Sequence, residues 1–73
     1  MRMNMRAERV RNGYTSQQVA DILGVSVNSV LGWERGSSEP LGKSLIGLAK
    51  LYGCSPEYLL ETDGKPNQAV ATT

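Results

Sequence analysis

Helix punctuation recurs so closely along this chain that no long element fits between its marks. Thr15 and Ser16 stand before the run QQVADIL, and Gln18 lies three residues after Thr15, the spacing of a reciprocal capping box. Gly24 follows Leu23 and supplies a left-handed stop after about two turns. Ser26 is placed to cap a further helix, VNSVLGWER, which Gly36 ends, with Pro40 in the loop beyond. In KSLIGLAKLY, Leu45, Leu48, Ala49 and Tyr52 fall at i, i+3, i+4 and i+7, an amphipathic stripe that Gly53 closes. Ser55-Pro56-Glu57 reads as a cap, a proline at the first helical position and an acid in the first turn, opening a short helix through Leu60. With residues 3–12 as the first helix, five short helices are predicted over most of residues 3–61. No segment sustains apolar–polar alternation, so the predicted class is all-α. Residues 1–61 are read as one domain, and TDGKPNQAVATT (62–73), without periodicity or large apolar groups, as a disordered C-terminal tail.

Composition narrows the functions open to such a chain. Seventy-three residues leave room for one domain. Eight basic and seven acidic residues give a net charge of +1, which excludes a polycation and an acidic disordered tail protein. The charge is nevertheless uneven. Residues 1–12 hold Arg2, Arg6, Arg9 and Arg11 against Glu8, whereas residues 54–64 hold Glu57, Glu61 and Asp63 with no base. Cys54 is the only cysteine, so no intrachain disulfide is available, and a free thiol fits a reducing cytoplasm. There is no histidine, the commonest general base and metal ligand, no metal-ligand cluster, and no GxGxxG or P-loop. An enzyme is therefore not expected, nor a cofactor. No apolar run approaches the ~20 residues of a membrane span, and no signal-peptide core is present.

Residues 16–35, SQQVADILGVSVNSVLGWER, have the spacing of a helix-turn-helix. Ala20 supplies the small residue that two steeply crossing helices need at closest approach, and Gly24 the positive φ of the short turn. Val19, Leu23, Val25, Val30 and Trp33 form the apolar wedge between the helices. Any αα-hairpin shares part of this pattern. The surrounding pieces are more specific: MRAERVRNGYT, VADILGVS, WERG, EP and SLIGLAKLYGCSPEYLL occur in order across Met5–Leu60. Together they resemble the helix-turn-helix family of the phage lambda repressor and Cro, also called the xenobiotic-response-element type. The resemblance implies a compact five-helix bundle whose third helix, about residues 27–35, enters the DNA major groove.

The resemblance also assigns roles by position. Val27, Asn28 and Ser29 fall in the first turn of helix 3, where such proteins address base edges. Asn28 is the leading base reader, because a carboxamide pairs with N6 and N7 of adenine; the competing role is to cap helix 3. Val27 would meet a thymine methyl, or else be an apolar surface residue without a partner. Gly32 occupies a position that often bears a long polar side chain, and would either admit DNA closely or merely weaken the helix. Backbone contacts are expected from Thr15, Ser16 and Gln17 at the start of helix 2, a natural anion site, and from Ser29, Arg35 and Ser37, flanked by Arg11 and Lys43. The family commonly has glutamine where Ser16 stands, and Gln17 is the available substitute. Leu31 is the odd residue of helix 3. Arg9 is matched not to DNA but to a structural salt bridge with Glu34 across helices 1 and 3. Cys54 takes the place of a small buried residue, and Trp33, Tyr52 and Tyr58 lie at helical core spacing rather than among basic residues as base-stacking platforms would.

The expected function is sequence-specific binding of double-stranded DNA by a cytoplasmic transcriptional regulator, a repressor above all. One domain of this size contacts few base pairs, so a homodimer is expected on half-sites ~34–36 Å apart, with helix 5 around Tyr58 and Leu59 as one candidate interface. The alternative is a protein-interaction module or antitoxin that keeps the fold with weak or lost operator recognition, its partner a toxin or co-regulator.

Overall fold

The caps and stops fall where the sequence puts them. In the computed structural model, which describes residues 1–61, five helices follow in order: α1 (Met3–Arg11), α2 (Ser16–Leu23), α3 (Val27–Arg35), α4 (Gly42–Tyr52) and α5 (Pro56–Leu60). No strand occurs among the described residues. The expected tail, residues 62–73, lies outside them.

Local chemistry accounts for the starts of α2, α3 and α5 and for the ends of α1 and α2. The Thr15 hydroxyl accepts from the Gln18 amide at 3.1 Å, and the Gln18 side chain accepts from the Thr15 amide at 2.9 Å. That closes the capping box at the start of α2. Gly24 ends α2 at φ 72°, a left-handed conformation that costs glycine nothing and other residues about 1–2 kcal/mol. Ser26 caps α3 by accepting from the Ser29 amide at 3.1 Å, and Ser55 caps α5 by accepting from the Tyr58 amide at 3.2 Å. Helix α1 stops at Arg11, one residue short of the predicted end, because the Asn12 side chain turns back to the Glu8 carbonyl at 2.7 Å.

Met5, Val19, Ala20, Val30, Trp33, Leu48, Tyr52 and Leu59 form the core. Each of the five helices contributes at least one of these side chains, and fully burying one such as Leu48 or Leu59 stabilises the fold by about 1.5–3 kcal/mol. The predicted wedge is present: Val19, Val30 and Trp33 are buried, with Leu23 and Val25 packed against them half-buried. Ala20 is fully enclosed where α2 meets α3. Helix α4 also packs against α2. A Cβ on Gly47 would lie 2.8 Å from the Leu23 Cδ2, so a larger residue there would require the Leu23 side chain to shift.

The N-terminal charge is not the solvated basic face that its composition suggests. Arg2 and Glu8 are buried, Arg9 is half-buried, and only Arg6 and Arg11 of the four arginines are exposed. Buried polar groups join α1 to distant elements. The Asn4 side chain donates to the Tyr58 carbonyl at 3.0 Å, and Glu8 accepts from the Tyr58 hydroxyl at 3.3 Å.

Candidate nucleic-acid interface

Helices α2 and α3 are joined by Gly24, Val25 and Ser26, and α3 is held on its inner side by Val30, Trp33 and Glu34, all buried. What remains outward is narrow. Asn28 and Arg35 are the two exposed residues of α3, one in its first turn and one in its last; Val27, Ser29 and Leu31 are half-buried. Ser26 caps α3, which leaves the Asn28 carboxamide clear of that task. Val27 packs against the core cluster, so the picture of an unpartnered surface valine is corrected, and its freedom to meet a thymine methyl is reduced.

Gly32 requires a further correction. It is buried, and faces the loop after α3 rather than an open groove. A Cβ there would lie 2.9 Å from the Ser38 Oγ and 3.4 Å from the Ser37 Oγ. Its carbonyl accepts from the amides of Gly36 and Ser37, each at 3.0 Å, and from the Ser37 hydroxyl at 3.3 Å. Glycine here lets the loop fold back over the helix end.

The residues expected on the DNA backbone are spread over five places. At the start of α2 the capping box occupies the Thr15 hydroxyl and the Gln18 amide, while the first-turn amides of Ser16 and Gln17 have no acceptor within the helix. The Gln17 side chain donates to Asp21 at 3.0 Å, one turn along the same helix. Ser29 shares its hydroxyl with Ser26 at 3.1 Å, at the start of α3. Arg35 and Ser37 are exposed at the far end of α3, and Lys43 is exposed in the first turn of α4. Arg11 is held within α1 by Glu8, at 2.6 and 3.0 Å, and that hydrogen bond raises its pKa above the ordinary arginine value.

Arg9 and Glu34 meet across α1 and α3 at 2.7 Å. The hydrogen bond to Glu34 raises the pKa of the Arg9 guanidinium, against the opposing effect of burial. Tyr52 lies on the same side of the core, its hydroxyl buried without a partner, and burial pushes its phenol well above the ordinary tyrosine range. Burial likewise raises the Cys54 thiol and, with help from Glu8, the Tyr58 phenol. Trp33, Tyr52 and Tyr58 are thus packing residues, and none stands open as a stacking platform.

Arg2 escaped the sequence reading. It is almost wholly buried, with its guanidinium against the carbonyls of Trp33 and Ser38. In sequence it was one more arginine of a basic stretch, and no local pattern marked it. Among the described residues no group of three or more His, Cys, Asp and Glu side chains is placed to hold a metal ion, and no helix is long and apolar enough to cross a membrane.

A capped helix, a glycine turn and a second capped helix wedged on a shared core define a helix-turn-helix domain. The helix-turn-helix family model matches residues 5–59, and the chain belongs to that family, of the Cro/C1 type, whose members are DNA-binding regulators rather than enzymes. It is 40% identical over 68 residues to the HTH-type transcriptional regulator DicA of Escherichia coli (strain K12), covering 90% of this chain and 50% of the relative. It is 37% identical over 59 residues to Repressor protein C2 of Salmonella phage P22, covering 81% of this chain and 27% of the relative. It is 32% identical over 59 residues to the HTH-type transcriptional regulator ImmR of Bacillus subtilis (strain 168), covering 81% and 46%. The chain thus spans half or less of the length of these relatives. No solved structure gives a significant match.

Proposed function

We propose that this domain binds double-stranded DNA sequence-specifically, inserting α3 into the major groove, and that it acts in the cytoplasm as a transcriptional repressor. The observation that carries this reading is the placement of Asn28 and Arg35 as the two exposed ends of a helix otherwise fixed to the core. A carboxamide at the leading turn suits adenine, and a guanidinium at the trailing turn suits a phosphate. The first-turn amides of Ser16 and Gln17 offer a second phosphate site at the start of α2. Ser37 follows the trailing end, and Lys43 is exposed in the first turn of α4. The names of the relatives, regulators and a phage repressor, support the same role.

So small a reading surface contacts few base pairs, and we infer a homodimer on DNA, with half-sites ~34–36 Å apart. Selection of bound sites from random duplex DNA, followed by the stoichiometry of the complex, tests this. A palindromic motif bound by two chains supports it, and a library that yields no motif overturns it. The thinness of the exposed α3 face, with Gly32 covered and Val27 half-buried, favours a second reading as a protein-interaction module or antitoxin. That reading leads if selection enriches nothing while a toxin or co-regulator binds.

A further inference from the structure

Arg2 is 4% exposed although it belongs to a charged N-terminal segment. Its Nη1 donates to the Trp33 carbonyl and to the Ser38 carbonyl, each at 2.7 Å. Its Nη2 lies 3.5 Å from the Glu39 Oε2, and its backbone amide donates to the Glu34 carbonyl at 2.8 Å. The carbonyls of Trp33 and Glu34 belong to the last turn of α3, where a helix leaves four carbonyls without intrahelical donors. The following loop serves Gly32 through the amides of Gly36 and Ser37, and Gly36 also reaches the Trp33 carbonyl at 3.3 Å. Arg2 serves the carbonyls of Trp33 and Glu34 from outside the helix. It bridges the helix end to the loop at Ser38, so that Arg35, Gly36 and Ser37 lie along the chain between its contacts.

The electrostatics point the same way. The carbonyl end of a helix carries about half a negative charge, and Glu39 adds a full one beside it. A phosphate approaching Arg35 and Ser37 would meet that field unless a cation offset it. Arg2 is too deeply buried to touch a phosphate itself. Its Nε is buried without a partner, and desolvating the charge offsets much of what its hydrogen bonds contribute to stability. Its placement is therefore better explained by the geometry it holds.

We propose that Arg2 is a positioning residue for DNA binding. It fixes the trailing end of α3 so that Arg35 and Ser37 address the backbone, and it offsets the negative field they sit in. This rests on the DNA-binding reading above. The test compares wild type, Arg2→Met, Arg35→Ala and the double variant. Two measurements are made on each: amide hydrogen exchange of the free protein, and binding to a mixed-sequence duplex of roughly 20 base pairs over a range of salt. Arg2→Met should lose protection at Gly36, Ser37 and Ser38 while α2 and α4 keep theirs. It should lower the slope of log K against log salt by about 0.9, one phosphate contact. Arg35→Ala should do the same to the slope, and the double variant no more than either alone. An unchanged slope, additive losses in the double variant, or loss of protection throughout the fold would each overturn the assignment. If wild type shows no salt-dependent duplex binding, the DNA-binding reading itself fails. The exchange data then still decide whether Arg2 holds the helix end.

Discussion

Arg9 and Glu34 face each other fork to fork between α1 and α3: Nε lies 2.7 Å from Oε2 and Nη2 3.2 Å from Oε1. The third arm, Nη1, donates to the Tyr14 carbonyl at 3.0 Å, so the loop before α2 is tied to the same pair. Side-chain exposures of 13% and 4% place the pair inside the protein. Bidentate geometry gives it direction as well as strength. Removing one member leaves the other charge buried and unpaired, which costs ~3–5 kcal/mol. Arg9→Leu should therefore lower the melting temperature by more than about 10 °C, on the scale of ~4–8 °C per kcal/mol for a domain this size. Thermal melts followed by circular dichroism check it. An unaltered melt with lost DNA binding would move Arg9 to the interface.

Asn28 and Arg35 should fail differently. Asn28→Ala is expected to cost ~1–3 kcal/mol at one base position and to relax the preference there. Arg35→Ala should weaken binding to every duplex and reduce the salt slope by about 1. Binding titrations against the selected site and its single-base variants separate the two patterns. If Asn28→Ala weakened all sequences alike, its role would be a backbone contact.

Gly32→Ala discriminates between a glycine that faces DNA and one that faces its own loop. The new methyl would meet the Ser38 Oγ at 2.9 Å, and Ser38 is an exposed residue whose short side chain is free to rotate away. The helix gains up to about 1 kcal/mol from replacing glycine. The variant should be as stable as wild type or more so in urea unfolding, with DNA affinity unchanged. A large affinity loss in a stable Gly32→Ala protein would return Gly32 to the reading face. Gly32→Gln should instead displace the loop and weaken binding through Ser37 and Arg35.

Alkaline pH should destabilise the domain. Burial raises the folded-state pKa of Cys54, Tyr52 and Tyr58 above their ordinary values of 9.0, 10.0 and 10.0. The unfolded chain then loses these protons first, and stability falls wherever the unfolded state binds fewer protons. The contribution is complete below the ordinary thiol value and declines as pH rises through the ordinary values of thiol and phenol. Urea unfolding at about pH 8 and about pH 11 measures the decline. Cys54→Ala should remove its earliest part, and a flat profile would show these groups to be freely hydrated.

The helices and their ends were legible in the sequence because capping is local. Thr15 and Gln18, Ser26 and Ser29, and Ser55 and Tyr58 each satisfy one another over three residues. Asn28 and Arg35 were assigned to DNA through the family resemblance, and both are exposed on α3 while Val30 and Trp33 are buried. Arg9 and Glu34 were paired through the family resemblance, with no local signal between residues 25 apart.

The amino-acid sequence by itself determined the five helices, their capped starts and glycine stops, and the inward stripes of α2, α3 and α4, because propensity, capping and periodicity act over one or two turns. Tertiary structure decided what the charges and the glycine of α3 do. Arg2 finds its carbonyl partners 31 and 36 residues away, so nothing near it in the chain distinguishes it from a solvated arginine. Gly32 became a packing residue only when the loop at Ser37 and Ser38 folded back across it. Desolvation and long-range hydrogen bonding, which depend on the assembled fold, turned a basic segment into the internal support of the candidate DNA-reading helix.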